Sequence, residues 1–361
     1  MSLPSTFQGC ELRTPKAKLS LVQRSLSPLG SKELGIKITA TAINPVDYKM
    51  RDYDVFLKEY PAVLGSDAAG VVVAVGPDVK GFQVGDRVFF QGIIGNYDAS
   101  TFQQYCKMPA ELVSKTPDNI SDEEASGIML ATVAVVTAFY AEQGHGMIPP
   151  WEKDGDQVGK GKSIIIIGGA SSVGQYAIQM ARLSGYDRIV TNASSNNHDF
   201  LKSIGAHAVL DRSKSDVDTF FEALGGSPLD FVFDAISAPS TQKLAVQVLR
   251  KAKTPGSDLV TVHVVVPEHP DPEAKALGQS AEPRIEIKQI LGLGSSPTLR
   301  PLSEPLAKFL GGPDGYIAQG LFTPNRPQVV PGGLAAIEEA LAMNKKGVSG
   351  KKVVIRPHET K

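Results

Sequence analysis

Residues 162–185 read KSIIIIGGASSVGQYAIQMARLSG. Four consecutive isoleucines, Ile164 to Ile167, make a run that is apolar on both faces, as a central parallel strand requires. A turn of small residues, 168–174, follows. Val173, Ala177, Ile178, Met180, Ala181 and Leu183 then recur at the spacing of a buried helix face. Strand, tight turn and helix together form the unit that presents backbone N–H groups at a helix N-terminus to a pyrophosphate. Gly169 and Gly174 hold the first and last positions of G-x-G-x-x-G, and Ser171 stands where the middle glycine would be. A serine leaves the backbone approachable, and its hydroxyl is expected to add a donor. Gly161-Lys162-Ser163 imitates the end of a P-loop, but that motif needs glycine at 156, where Asp156 stands, and it must follow a strand rather than precede one.

The residues beyond the second strand bear on which dinucleotide is bound. An NAD site shows Asp or Glu there for the ribose 2′-hydroxyl. Here strand 188–191 runs into Asn192, Ala193, Ser194, Ser195, Asn196 and Asn197, with no acid before Asp199. Hydroxyl and amide donors can receive a 2′-phosphate that a carboxylate would repel. Arg212, after a third strand over 208–211, can supply positive charge. The bland alternative is a polar loop with a solvated arginine. NADPH is favoured over NADH.

With 361 residues, 42% hydrophobic, 21% charged and net charge −1, the chain reads as an ordinary globular protein with room for one large or two ordinary domains. That balance points to neither nucleic acid nor an anionic membrane. The start lacks the charged and apolar regions of a signal peptide, and no apolar stretch is read as reaching transmembrane length. Cys10 and Cys106 are isolated, which fits a reducing, cytoplasmic setting and supplies no zinc cluster. The first 130 residues are strand-rich and punctuated by Gly and Pro, as in a small barrel-like unit. Ser121 followed by three acids marks a helix start. From 163 onward strands and helices alternate, the pattern of an α/β doubly wound parallel sheet. Two insertions, 143–161 and 267–283, are predicted to be long surface loops.

Two N-terminal segments then carry a resemblance: AINPVDYK at 42–49 and YPAVLGSDAAGVVVAVGPDVKGFQVGDRV at 60–88. With the dinucleotide turn and SGKKVV at 349–354, they resemble medium-chain dehydrogenases/reductases over nearly the whole chain. The resemblance implies a GroES-like β-rich catalytic domain (1–130 and 305–361) and a Rossmann NADPH-binding domain (131–304), with the active site in the cleft between them. Zinc-dependent members carry a His-Glu pair where this chain has Ser66-Asp67. Their metal cysteine near the start of the chain falls in 44–47, which has none, and the four-cysteine lobe is absent. No catalytic zinc is therefore expected, and Asp67 is expected to bond backbone. Within the zinc-free branch of quinone oxidoreductases, alkenal reductases and enoyl reductases, the chain is most similar to fungal trans-acting enoyl reductases. The features carrying this are GGAS at 168–171, MARLSGY at 180–186, the insertion before residue 164, and VVPGG at 329–333. Many relatives have tyrosine where this chain has Arg212.

The resemblance implies roles residue by residue. A loop of Val46, Asp47, Tyr48 and Lys49 borders the nicotinamide. Thr137 faces the nicotinamide ribose, unless it merely bonds its own helix backbone. Ala170, Ser171, Ser172 and Val173 hold the pyrophosphate, and Ser194, Ser195, Asn196 and Asn197 hold the 2′-phosphate. His263, Val264, Val348 and Ser349 approach the nicotinamide, and His263 reads as a satisfied core residue rather than a catalyst, its backbone mattering more than its ring. NADPH would supply hydride to the β-carbon of an activated alkene, so donors must meet the growing charge on the carbonyl oxygen. Tyr48 and Lys49 are the candidates for that oxygen and for the later proton, although Lys49 could instead bond ribose and water could bring the proton. The expected substrate is an enoyl or enone compound, free or carrier-bound, with a polyketide synthase as possible partner and a monomeric or homodimeric state. The rival readings are an NADPH quinone oxidoreductase and a non-catalytic cofactor-binding protein of the same fold.

Overall fold

The computed structural model of the chain describes residues 3–252, 260–264, 270–282 and 284–360. It divides into two compact units, one formed by the chain up to Leu130 and from Leu293 on, the other by Ala131–Gly292.

The first unit opens with a hairpin of β1 (Phe7–Glu11) and β2 (Ser20–Arg24). There follow β3 (Glu33–Ala42), helix α1 (Pro45–Tyr53), β4 (Asp67–Val75), β5 (Arg87–Gln91), β6 (Tyr105–Pro109), β7 (Val113–Lys115) and the short α2 (Asp122–Ala125). α2 begins where the sequence places it: Ser121 Oγ accepts from the Glu124 N–H at 3.2 Å and Glu124 Oε2 accepts from the Ser121 N–H at 2.8 Å, a reciprocal cap.

The second unit comprises α3 (Met129–Tyr140, whose first two residues lie in the first unit), β8 (Ser163–Ile167), α4 (Ser172–Leu183), β9 (Arg188–Ala193), α5 (His198–Ser203), β10 (Ala208–Asp211), α6 (Val217–Ala223), β11 (Leu229–Asp234), α7 (Pro239–Ala252), β12 (Val260–Val264), α8 (Pro272–Gln279) and β13 (Ile285–Gln289). The chain then completes the first unit with α9 (Arg300–Leu310), β14 (Pro327–Val329), α10 (Ile337–Lys346) and β15 (Lys352–Ile355). The compact first unit thus resumes at Leu293 rather than at 305.

In the second unit six parallel strands stand in the order β10-β9-β8-β11-β12-β13. This is the doubly wound order, with its reversal between β8 and β11, where ligands meet the carboxyl ends of the strands. The isoleucine run forms β8, every residue of it buried, because helices cover both faces of a central parallel strand. Ile165 and Ile167 pack with Val190, Phe220, Val232 and Val246 on one face.

The first unit's main sheet runs β14-β15-β3-β4-β5-β7, with β6 also paired to β3. It is antiparallel except between β14 and β15, and β3 bulges twice against β4. The C-terminal strand β15 is therefore an interior strand, which brings Lys352 to the centre of the unit.

Two sequence expectations change here. The 267–283 insertion is not wholly a loop: its described part carries α8, capped by the Asp271 carboxylate on the Ala274 N–H at 2.8 Å and started by Pro272, both ordinary helix-start signals. The Asp271 N–H also donates to Gln242 of α7 at 2.8 Å. Residues 267–269 and 283 lie outside the described residues. The stretch Asp122–Tyr140 is also long and apolar enough for a membrane span, contrary to expectation, but 83% of its most apolar window is buried inside the protein, as in a core helix.

Candidate active site

In the second unit, the turn after β8 shows why small residues are needed. Gly168 adopts φ +83°, and a Cβ on Gly174 would lie 2.3 Å from the Gly168 carbonyl oxygen, so only glycine lets α4 start this close to the strand. Ser171 differs from the expectation that its hydroxyl is a free donor. Its Oγ donates to the Gly168 carbonyl at 2.8 Å and accepts from the Gly174 N–H at 3.0 Å, so the side chain serves as the N-cap of α4. The first-turn N–H groups of Ser172 and Val173 have no acceptor within the helix and are the ones an anion would take.

Asn192 stiffens the same turn: its Oδ1 accepts from the Gly168 N–H at 2.8 Å and its Nδ2 donates to Ser215 Oγ at 2.8 Å. β9 ends at Ala193. Ser194 then leads into a 3₁₀ turn, Ser195–Asn197, with Ser195 and Asn196 exposed and Asn197 buried. Arg212 is exposed, and its backbone N–H donates to the Ala193 carbonyl at 3.0 Å, which sets it beside the end of β9. Asp211 lies next to it; hydrogen bonds from the Ser213 N–H and Oγ hold its carboxyl below the usual range.

At the reversal point a second turn escaped sequence reasoning. Buried Asp234, at the end of β11, accepts from the N–H groups of Ile236 and Ser237 at 3.0 and 2.9 Å and from Thr241 Oγ1 at 2.7 Å. Burial pushes its carboxyl up against those bonds. Ser237 has φ +63°, and its buried hydroxyl has no partner among the described residues. A non-glycine residue in that region and an orphaned hydroxyl beside the switch point are the signature of a built ligand turn. The signal was the Asp-Ala-Ile-Ser spacing of an Asx turn. The glycine cradle, the free helix N-terminus and this hydroxyl fit a dinucleotide.

Two other assignments change or narrow. Thr137 is buried in α3 and donates Oγ1 to its own Val133 carbonyl at 2.8 Å, the bland alternative for a threonine in an apolar helix. His263 and Val264 lie in the backbone of β12, paired with Phe233 and Asp234 of β11, and their side chains lie outside the described residues.

In the first unit the expected loop of Val46, Asp47, Tyr48 and Lys49 is instead the first turn and a half of α1. Pro45 at the first helical position and Asp47, whose Oδ2 accepts from the Asn44 N–H at 2.7 Å, start the helix there. Val46 and Tyr48 pack in one apolar cluster with Val348, which with Ser349 precedes β15. The Lys345 ammonium lies 5.8 Å from the Tyr48 ring centroid. Lys49 is buried.

Beneath this turn lies a charged cluster. Ser66 Oγ donates to Asp47 Oδ1 at 2.8 Å. Asp67 Oδ1 accepts from the Leu130 N–H at 3.2 Å, while Asn44 Nδ2 donates to its Oδ2 at 3.4 Å. Asp67 thus meets a backbone N–H as expected. It also faces the Lys352 ammonium at 4.0 Å, and that ammonium donates to Asn44 Oδ1. All five residues are buried. Burial pushes the Asp47 carboxyl up to about 7, opposed by the bonds from Asn44 and Ser66 and by the Lys352 charge. Burial likewise raises Asp67 and lowers Lys352, each opposed by the other's charge. Among the described residues no three His, Cys, Asp or Glu side chains gather as a metal site would need. Asp47 and Asp67 are answered by an ammonium, and a zinc ion does not fit this donor set.

Comparison with known proteins agrees with this architecture. The family model of the alcohol dehydrogenase GroES-like domain matches residues 30–118, and that of the zinc-binding dehydrogenases matches 172–270. A trans-enoyl reductase, himH of Aspergillus japonicus, is 32% identical over 334 residues, covering 90% of this chain and 89% of that one. Another, tndF of Aspergillus flavipes, is 31% identical over 363 residues, covering 96% and 98%. In structure, an alcohol dehydrogenase superfamily protein from Novosphingobium aromaticivorans superposes with a TM-score of 0.75 at 22% identity, covering 97% of this chain and 99% of that one. The chain belongs to the medium-chain dehydrogenase/reductase superfamily of oxidoreductases, in the zinc-independent branch that includes the fungal trans-enoyl reductases.

Proposed function

We propose that this oxidoreductase is an NADPH-dependent reductase of conjugated C=C bonds in enoyl or enone substrates. The observation that carries the reading is the Asp47–Lys352–Asp67 cluster. Asp67, which with Ser66 stands where zinc-dependent relatives carry their His-Glu pair, is paired with Lys352, so side-chain donors are proposed to meet the substrate oxygen. Tyr48 and Lys49 follow Asp47 directly on α1 and are proposed for that role, with the two trans-enoyl reductase relatives supporting the reaction class. NADPH supplies the hydride when bound. Ala170, Ser171, Ser172 and Val173 are proposed to line its pyrophosphate through backbone N–H groups. Ser194, Ser195, Asn196, Asn197 and Arg212 receive the 2′-phosphate, and Thr137, His263, Val264, Val348 and Ser349 border the nicotinamide end. The substrate is proposed to arrive free or on the carrier of a polyketide synthase, in the cytoplasm, with the protein a monomer or homodimer.

Steady-state NADPH oxidation with a panel of enones, acyl thioesters and quinones tests this. Turnover of the first two classes is expected. Turnover of quinones alone would make the protein a quinone oxidoreductase, and tight NADPH binding without turnover a cofactor-binding protein.

Two further outcomes are expected. Charge-assisted bonds are worth about 1.5–3 kcal/mol each, so NADPH should bind about tenfold to a hundredfold tighter than NADH. Arg212→Ala should weaken NADPH and leave NADH almost unchanged; equal calorimetric affinities in the wild type would refute the assignment. Prolonged chelation should leave turnover intact, and loss restored by added zinc would show that a metal site exists after all.

A further inference from the structure

Lys352 is hard to account for by stability. Its side chain threads past Gly127, where a Cβ would lie 2.7 Å from Lys352 Cγ, and its ammonium is buried. Replacing buried ionic groups by apolar ones of similar volume is often neutral or stabilising. The ammonium also lies against the N-terminal end of α1, where the helix dipole repels cations. It donates to Asn44 Oδ1, on the N-cap residue of that helix.

What this arrangement gains is definition of one turn. Asn44, at the N-cap of α1, reaches Lys352 of β15 through its oxygen and Asp67 at the start of β4 through its nitrogen. Its backbone N–H is held by Asp47, which is itself held by Ser66. Two strands far apart in sequence, β4 and β15, therefore converge on the turn that carries Tyr48 and Lys49. The charged groups facing Lys352 are Asp67 and Asp47.

We propose that Lys352 is a positioning residue, whose buried ammonium, shared by Asn44 and Asp67, fixes the first turn of α1 and so the reach of the Tyr48 and Lys49 side chains. The proposal rests on the reading that those two side chains serve the reaction. Removing the charge together with Asp67 leaves one buried carboxyl, Asp47, which keeps its bonds from Asn44 and Ser66, and so reduces the cost of unpaired buried carboxylates.

The test is the double variant Lys352→Met with Asp67→Asn, measured in three ways. Amide hydrogen exchange over residues 46–49 should quicken at least about tenfold, relative to the rest of the unit. The kcat for an enone should fall about tenfold while the Kd for NADPH stays within about twofold. In a Lys49→Ala background the same double substitution should cause a clearly smaller loss, since the part that acts through Lys49 is already gone and only the part through Tyr48 remains. Wild-type exchange and kcat would overturn the proposal, as would a kcat loss equally large in the Lys49→Ala background. Lys352→Gln with Asp67→Asn keeps a hydrogen bond to Asn44; it should fold and recover part of both losses, and no recovery counts against the proposal. If Lys49→Ala and Tyr48→Phe themselves turned over normally, the functional reading would fall and the catalytic role of Lys352 with it. The exchange rates, which need no substrate, tell that failure apart from failure of the turn to be held.

Discussion

Lys49→Ala and Tyr48→Phe are each expected to lower kcat/KM for an enone by about tenfold to a thousandfold, the range lost when one oxyanion or proton donor is removed. Their place on a helix strengthens the expectation. The Arg51 guanidinium bonds Glu338 at 2.7 Å and the Lys345 ammonium bonds Asp52 at 2.7 Å, so α1 is also tied to α10. Donors on so fixed an element need little reorganisation when charge develops on the substrate. NADPH affinity should change less than turnover if the donors act in the transition state, and as much as turnover if they only bind ribose. Wild-type turnover in both variants, with cofactor affinity intact, would place the donor elsewhere. Ser237, whose buried hydroxyl has no partner among the described residues, would then be the next residue to replace.

The second unit was legible because its signals are local. An isoleucine run, a glycine turn and a helix period lie within residues 162–185, and the strand over 208–211 is β10 residue for residue. Where local rules compete, the sequence misled. AINPVDYK reads as a loop after a strand, but Pro45 at the first helical position and Asp47 on the Asn44 N–H begin a helix. Ser171 offered a donor on paper, while the orphan N–H of Gly174 and the Gly168 carbonyl claim it in the fold. Asp271-Pro272-Glu273 carries a helix start that a Pro-rich, acidic composition concealed. The Lys352 cluster was beyond sequence reasoning for a different reason. Lys352 and Asp47 stand at opposite ends of the chain, and no periodicity links them. Only the pairing of β15 with β3 brings them together.

That cluster should also show in the dependence of stability on pH. Asp47 and Asp67 both have folded pKa values above the unfolded value near 4, so the folded chain holds their protons more tightly. Their contribution is therefore most favourable below about pH 4 and declines as pH rises toward about 7, by at most about 1.4 kcal/mol per pH unit per group. Lys352 is shifted down, so its own contribution changes in the opposite sense, over the range between its lowered folded pKa and the ordinary lysine value. Lys352→Met alone removes the cation and leaves two buried carboxyls. At pH 8 both are drawn toward ionisation without a partner, and the loss should be about 3–5 kcal/mol, as for one partner stripped from a buried ion pair. At pH 5 both carboxyls already hold their protons, so little charge loses its partner, and the loss should shrink to about 1–3 kcal/mol, the cost of polar groups left without a hydrogen bond. Denaturant unfolding of wild type and variant at the two pH values measures the difference directly. Equal losses at pH 5 and pH 8 would mean that the two aspartates do not titrate with the cluster, and that Lys352 contributes packing rather than charge.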